Sequence, residues 1–145
     1  MLTRLARSFN AALYQRSAGS TWLSGKSILQ RGLASQCDFN TLVDHSLMEM
    51  LTQIEDIAEK ASVDSEVDYA EGVLKIRVAN VGTFVLNRQT PKSQLWFSSP
   101  ISGPWHYDYA GKDGWVCGKS GDVLLKRLSE ELGKSLQTPI KLELS

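Results

Sequence analysis

Three runs decide the fold: Val73-Leu74-Lys75-Ile76-Arg77-Val78, then Thr83-Phe84-Val85-Leu86-Asn87-Arg88-Gln89, then Gln94-Leu95-Trp96-Phe97-Ser98. In the first, Leu74, Ile76 and Val78 alternate with Lys75 and Arg77, the period of two expected of a half-buried strand. Gly82 separates the first run from the second and Pro91 precedes the third, so consecutive antiparallel strands joined by tight connections are predicted. The parity that buries Phe84, Leu86, Leu95 and Phe97 turns Val85, Asn87, Gln89, Gln94, Trp96 and Ser98 to the other face. A tryptophan among amides on an open sheet face has the chemistry of an interface anchor.

Outward from these runs, residues 105–109 and 115–117 read as short aromatic-rich strands around a turn at Gly111 and Gly114. Upstream, Val43, Leu47, Leu51, Ile54, Ala58 and Ala61 recur at helical spacing over residues 42–61, with Asn40 or Thr41 as the expected cap. Downstream, Leu124, Leu125, Leu128, Leu132 and Leu136 mark a second amphipathic helix over residues 122–136. Helix, consecutive strands and closing helix predict an α+β fold: a two-layer α/β sandwich with two helices packed on one face of an antiparallel sheet and the other face in water. Ile140, Leu142 and Leu144 alternate in the tail, which is expected to cover the end of the groove between the helices.

At 145 residues the chain holds one domain with room for a disposable end, and 42% hydrophobic with 22% charged residues is ordinary globular composition. No apolar run approaches the roughly 18 residues of a membrane span, so no membrane partner is expected. The formal charge of zero conceals segregation. Before residue 38 stand five basic residues (Arg4, Arg7, Arg16, Lys26, Arg31) and no acid; residues 38–72 hold ten acids against Lys60 alone; residues 73–145 hold ten basic and six acidic residues. Leu2, Leu5, Phe9 and Leu13 share one helical side opposite Arg4 and Arg7, in a stretch with eight Ser or Thr before residue 38. That is the pattern of an organelle import segment, mitochondrial by preference, with a plastid address or a retained basic arm as the alternatives. Residues 1–37 are accordingly expected to be a transit peptide, cleaved near residues 31–36, and residues 38–145 the domain. Cys37 and Cys117 are the only thiols, too few for a disulfide framework or a thiolate metal site.

Candidate chemistry lies in the acids. Glu55, Asp56 and Glu59 sit on the polar side of the first helix, with Glu49 and His45 further up, and Asp64, Glu66, Asp68 and Glu71 continue the series. Glu55 and Glu59 form a like-charge i, i+4 pair. All three helix acids stand near the helix C-terminus, where the dipole disfavours anions. Oxygen donors without Cys or clustered His suit hard or borderline cations held weakly among waters: Fe²⁺, Fe³⁺, Mn²⁺, Mg²⁺ or Ca²⁺. The same charges also fit a solvated face or one that docks on a basic partner. Lys75 and Arg77 beside Trp96 suggest a nucleic-acid stacking platform, but the net negative charge beyond residue 37 argues for no nucleic acid. Gly118-Lys119-Ser120 and Gly25-Lys26-Ser27 lack the earlier glycine of a phosphate loop, with Asp113 and Ser20 in its place. His45 and His106 are far apart in sequence and read as surface or packing residues.

The stretch from Gly82 through Pro91, followed by Gln94-Leu95-Trp96-Phe97-Ser98-Ser99-Pro100 and Ser102-Gly103-Pro104, resembles the signature of the frataxin family. The similarity runs over residues 42–138, with the acidic first helix, Gly72-Val73-Leu74, Tyr107-Asp108, Trp115 and the second helix in the family's order. It implies a small mitochondrial matrix protein that binds iron (Fe²⁺/Fe³⁺) weakly on an acidic ridge and promotes iron–sulfur cluster assembly with a cysteine desulfurase and a scaffold protein. Iron supply for haem synthesis through ferrochelatase, ferroxidase activity with O₂, and a monomer that oligomerises with iron are implied as well. By the same resemblance Glu55, Asp56, Glu59, Asp64, Glu66 and Asp68 are expected to bind metal. Asn87, Gln89, Gln94 and Trp96 are expected to contact the assembly partners. After Pro104, where many members carry a basic pair, this chain has Trp105-His106; a protonated His106 would supply charge and Trp105 stacking or apolar contact. Thr52 replaces a ridge acid of some members. The alternative is a non-enzymatic allosteric adaptor of the assembly complex, with incidental iron binding.

Overall fold

The computed structural model describes the backbone from Gly25 to Ser145 and side chains from Asp38 onward. Residues 35–145 form one compact unit. The import stripe of Leu2, Leu5, Phe9 and Leu13 lies outside the described residues. Helix α1 is Gly25–Lys60, followed by strands β1 (Ser65–Ala70), β2 (Val73–Val78), β3 (Gly82–Gln89), β4 (Gln94–Ser99), β5 (Gly103–Tyr109) and β6 (Trp115–Val116), and then by helix α2 (Leu124–Leu136). The strands form one antiparallel meander in the order β1-β2-β3-β4-β5-β6. The α+β two-layer sandwich expected from the sequence is the architecture found.

Two boundaries differ from the sequence reading. No helix starts at Asn40 or Thr41, because α1 arrives from Gly25. The Asn40 side chain does not cap a helix; its Oδ1 accepts a hydrogen bond from the Thr90 hydroxyl at 2.8 Å. The strand β1 was hidden by its charge: Glu66 and Asp68 alternate with Val67 and Tyr69, but one edge strand with three acids nearby reads as a polar loop. Its register, Glu66 opposite Arg77 and Asp68 opposite Lys75, supplies cross-strand charge pairs that support it.

The core lies between the helices and one face of the sheet. Val43, Leu47, Met50 and Ile54 of α1 are buried against Leu74, Ile76, Phe84, Leu86, Leu95, Phe97 and Tyr107 of the sheet, and Leu124, Leu128, Leu132 and Leu136 of α2 complete it. Met50 replaces Leu51 on the innermost line of α1, since Leu51 is only partly buried. The Trp115 indole N–H donates to the Ser46 hydroxyl at 3.1 Å, which satisfies a fully buried polar atom and ties β6 to α1. The tail behaves as expected: Leu142 is buried, its N–H donates to Ser129 Oγ of α2, and Gln53 of α1 exchanges two hydrogen bonds with the Glu143 backbone.

Two glycines are required by contact. At Gly72, with φ of 79°, a Cβ would lie 2.9 Å from Arg88 Cζ; at Gly82, with φ of 133°, it would lie 2.8 Å from Pro100 Cβ. The first leaves room for Arg88, whose Nη1 lies 2.6 Å from both Asp44 carboxylate oxygens, while the Tyr69 hydroxyl donates to Asp44 Oδ1 at 3.1 Å. This group joins α1 to β1 and β3.

Candidate functional site

The acids and the amides occupy different parts of the molecule. Glu55, Asp56 and Glu59 are exposed in the last two turns of α1, with Lys60 as the basic residue of the last turn. Asp64 is exposed ahead of β1, and its carbonyl accepts the Ala79 N–H. Glu66 and Asp68 are exposed on β1 and share the open face with their basic neighbours; Arg77 Nη1 stands 3.3 Å from Glu66 Oε2. Among the described residues no three His, Cys, Asp or Glu side chains converge as a metal cluster. The ridge thus presents three helix carboxylates that make no ion pair with the described residues and a strand pair whose charge is largely balanced. Oxygen donors spaced in this way suit a hydrated hard cation held by one or two carboxylates at a time.

The sheet face gathers the other set. Asn87 pairs in register with Trp96, Gln89 with Gln94, and Trp96 with His106. Trp96 is partly exposed, and the His106 ring stacks on it with centroids 4.3 Å apart and planes 23° apart. The indole N–H donates to Gln94 Oε1 at 3.1 Å, and Gln94 Nε2 donates to Asp108 Oδ1 at 3.0 Å. Lys92 Nζ lies 5.3 Å from the Trp96 ring centroid, a cation over its face. Hydrogen bonding and stacking therefore hold the ring in one orientation, the preorganisation that lowers the entropy cost of binding in general. Lys92 and Asp108 belong to this arrangement although the sequence reading did not place them in it. The signal for Lys92 was its position immediately after Pro91, ahead of the strand that carries Trp96.

Trp105 does not share that face. It pairs with Phe97, a core residue, and so points to the helix side. There its indole N–H donates to Ser102 Oγ at 2.8 Å and the Arg127 guanidinium lies 3.8 Å from its ring centroid. Arg127 also pairs with Asp122. Behind this stack, burial pushes the fully buried Tyr107 phenol up to about 12. The Ser120 hydroxyl, hydrogen-bonded to Cys117, moves the Cys117 thiol below its ordinary value against the opposing effect of burial.

The structure is a two-layer α+β sandwich with an acidic helix end and an open sheet face bearing a preorganised tryptophan. The family model described as the frataxin-like domain matches residues 33–138. The chain belongs to the frataxin-like family. It is 34% identical over 128 residues to the mitochondrial frataxin of Arabidopsis thaliana, covering 87% of this chain and 66% of that protein. It is 37% identical over 101 residues to the iron-sulfur cluster assembly protein CyaY of Azotobacter vinelandii, covering 66% of this chain and 91% of the relative. A crystal structure of trimeric frataxin from the yeast Saccharomyces cerevisiae, complexed with ferrous iron, superposes with a TM-score of 0.61 at 30% identity, covering 67% of this chain and 87% of the yeast chain.

Proposed function

We propose that this chain is a mitochondrial iron-binding protein that promotes iron–sulfur cluster assembly, docking through its open sheet face on a cysteine desulfurase and its scaffold protein. The observation that carries this reading is Trp96, held half-exposed between His106, Gln94 and Lys92 on a face lined by Asn87 and Gln89. A hydrogen-bonded, stacked aromatic ring in a polar surround has the chemistry of an interface anchor. Iron is the cargo, held weakly at Glu55, Asp56 and Glu59 with Asp64, Glu66 and Asp68 as further donors. The names of the Azotobacter relative and of the yeast complex support the pathway and the ion. Residues 1–37 act as the import presequence to the mitochondrial matrix, in keeping with the names of the eukaryotic relatives.

A second reading, an allosteric adaptor for which iron is incidental, is favoured by the pairing of Glu66 with Arg77 and the placement of Asp68 opposite Lys75. Anaerobic Fe²⁺ titration by calorimetry separates the two, comparing the chain with a variant in which Glu55, Asp56 and Glu59 are all alanine, alongside Trp96→Ala. If the ridge carries iron, the triple variant loses most of the binding heat and still docks on the desulfurase–scaffold complex, whereas Trp96→Ala keeps the iron and loses docking. Equal iron binding by the triple variant, with desulfurase stimulation falling in both variants, establishes the adaptor.

A further inference from the structure

The Trp96 side chain is oriented by a relay that ends on Asp108. Gln94 and Trp96 stand two residues apart on β4 and so share the open face, and the register that sets Leu95 opposite Tyr107 brings Gln94 beside Asp108 of β5. Stacking on His106 fixes the plane of the indole, yet a tryptophan χ2 has roughly two-fold freedom, and the two settings differ in which edge of the ring meets Gln94. The hydrogen bonds choose between them. The indole N–H donates to Gln94 Oε1 at 3.1 Å, and Gln94 Nε2 donates to Asp108 Oδ1 at 3.0 Å. An indole N–H can only donate and a carboxylate can only accept, so a carboxamide between them satisfies both in one orientation alone. Turned over, it would set two donors against each other at the indole and two acceptors at the carboxylate. Asp108 therefore selects the setting of the amide, and the amide selects that of the ring. The carboxylate has no competing duty in the chain: it is exposed, makes no ion pair with the described residues, and finds its side-chain partner among them in Gln94.

We infer that Asp108 is a positioning residue for docking: acting through Gln94, it sets which edge of Trp96 faces the partner. The inference rests on the docking reading above and adds to it a residue that works without touching the partner. It also narrows the contact. With its N–H bonded inside the chain, the indole meets the partner through its ring and carbon edge rather than by donating a hydrogen bond. An anchor held in its bound setting loses less side-chain freedom on association, so the relay acts on affinity while adding no contact of its own.

The experiment pairs NMR of the ¹⁵N-labelled full chain with biolayer interferometry on the purified desulfurase–scaffold complex. The Trp96 indole signal is identified as the one lost in Trp96→Phe. Asp108→Asn and Asp108→Leu remove the same charge, but only Asn keeps an acceptor for Gln94. In Asp108→Leu the Trp96 indole N–H is expected to show a lower heteronuclear NOE and faster exchange with water, while the Trp105 and Trp115 signals and the melting temperature hold, as they would not for a merely structural role. Docking is expected to weaken roughly three- to tenfold in Asp108→Leu, and Asp108→Asn is expected to rescue most of that loss in both measurements. Gln94→Leu is expected to weaken docking at least as much as Asp108→Leu, and adding Asp108→Leu to it to cost nothing further, because Asp108 acts only through Gln94. An unchanged Trp96 signal in Asp108→Leu overturns the inference. So does a double variant whose losses add, which would put Asp108 itself against the partner, or equal weakening by Asn and Leu, which would assign the effect to charge. If Trp96→Ala abolishes docking while Asp108→Leu docks like the parent, the inference fails and the docking reading stands. If Trp96→Ala docks like the parent, that reading fails and the inference falls with it.

Discussion

Arg88 continues the inward parity of β3 after Phe84 and Leu86, yet it is charged, and its reason is found only across the layers. Its guanidinium is bonded to Asp44 of α1, which also receives the Tyr69 hydroxyl, and Gly72 has no side chain because Arg88 fills the space. Replacing Arg88 by Leu leaves the carboxylate of Asp44 facing the sheet without its cation and is expected to cost about 1–3 kcal/mol in urea denaturation, less than a fully buried pair because both groups retain some exposure. Tyr107 gives a pH signature. Burial raises its phenol to about 12, so as the pH rises the unfolded chain loses that proton first. Stability from this group is complete below about pH 10 and falls between about 10 and 12, by roughly 1–3 kcal/mol. Tyr69 is raised as well, by burial and then by its bond to Asp44, and adds in the same direction. Tyr107→Phe is expected to remove most of the alkaline loss seen in melting temperature against pH; an unchanged alkaline limb would show that Tyr107 ionises normally in the fold. Neither role was legible in the sequence, since a charged or phenolic residue at an inward position is explained only by the partner that meets it.

At the scale of elements, the strands with one apolar and one polar side were readable because each pays no conflicting demand: β2, β3 and β4 take the faces their period predicts. The strand β1 was not, because its outward side chains are acids that reach stability through Arg77 and Lys75 on the neighbouring strand. The end of α1 carries the opposite conflict. Glu55, Asp56 and Glu59 crowd the negative end of the helix dipole, and Lys60 is the last-turn cation. Changing the three to Gln, Asn and Gln is expected to raise stability by about 0.5–2 kcal/mol at low salt, with the gain shrinking in high salt. Thermal denaturation at two ionic strengths reads this directly. A stabilised variant that has also lost Fe²⁺ binding would mean that the ridge is kept for its ligand at the expense of the helix.

Across the whole molecule, the tail closes the sandwich: Leu142 enters the core while Ser129 and Gln53 hold the backbone on either side of it. Leu142→Ala is expected to lower the unfolding free energy by about 2–4 kcal/mol, and a urea midpoint unchanged from the parent would show that the tail is not part of the folded unit. The sequence alone determined the two-layer architecture, the inward faces of the central strands and of α2, the tail's place between the helices, and the outward position of Trp96. These follow from period and polarity, which act within a few residues of chain. The tertiary structure decided what each outward group meets. It separated Trp105 from Trp96 by placing the former opposite Phe97 and under Arg127, set His106 on Trp96, and balanced the acids of β1 while leaving those of α1 exposed. Contacts between residues distant in sequence depend on register and layer packing, and a charge or ring acquires its partner only when those are in place.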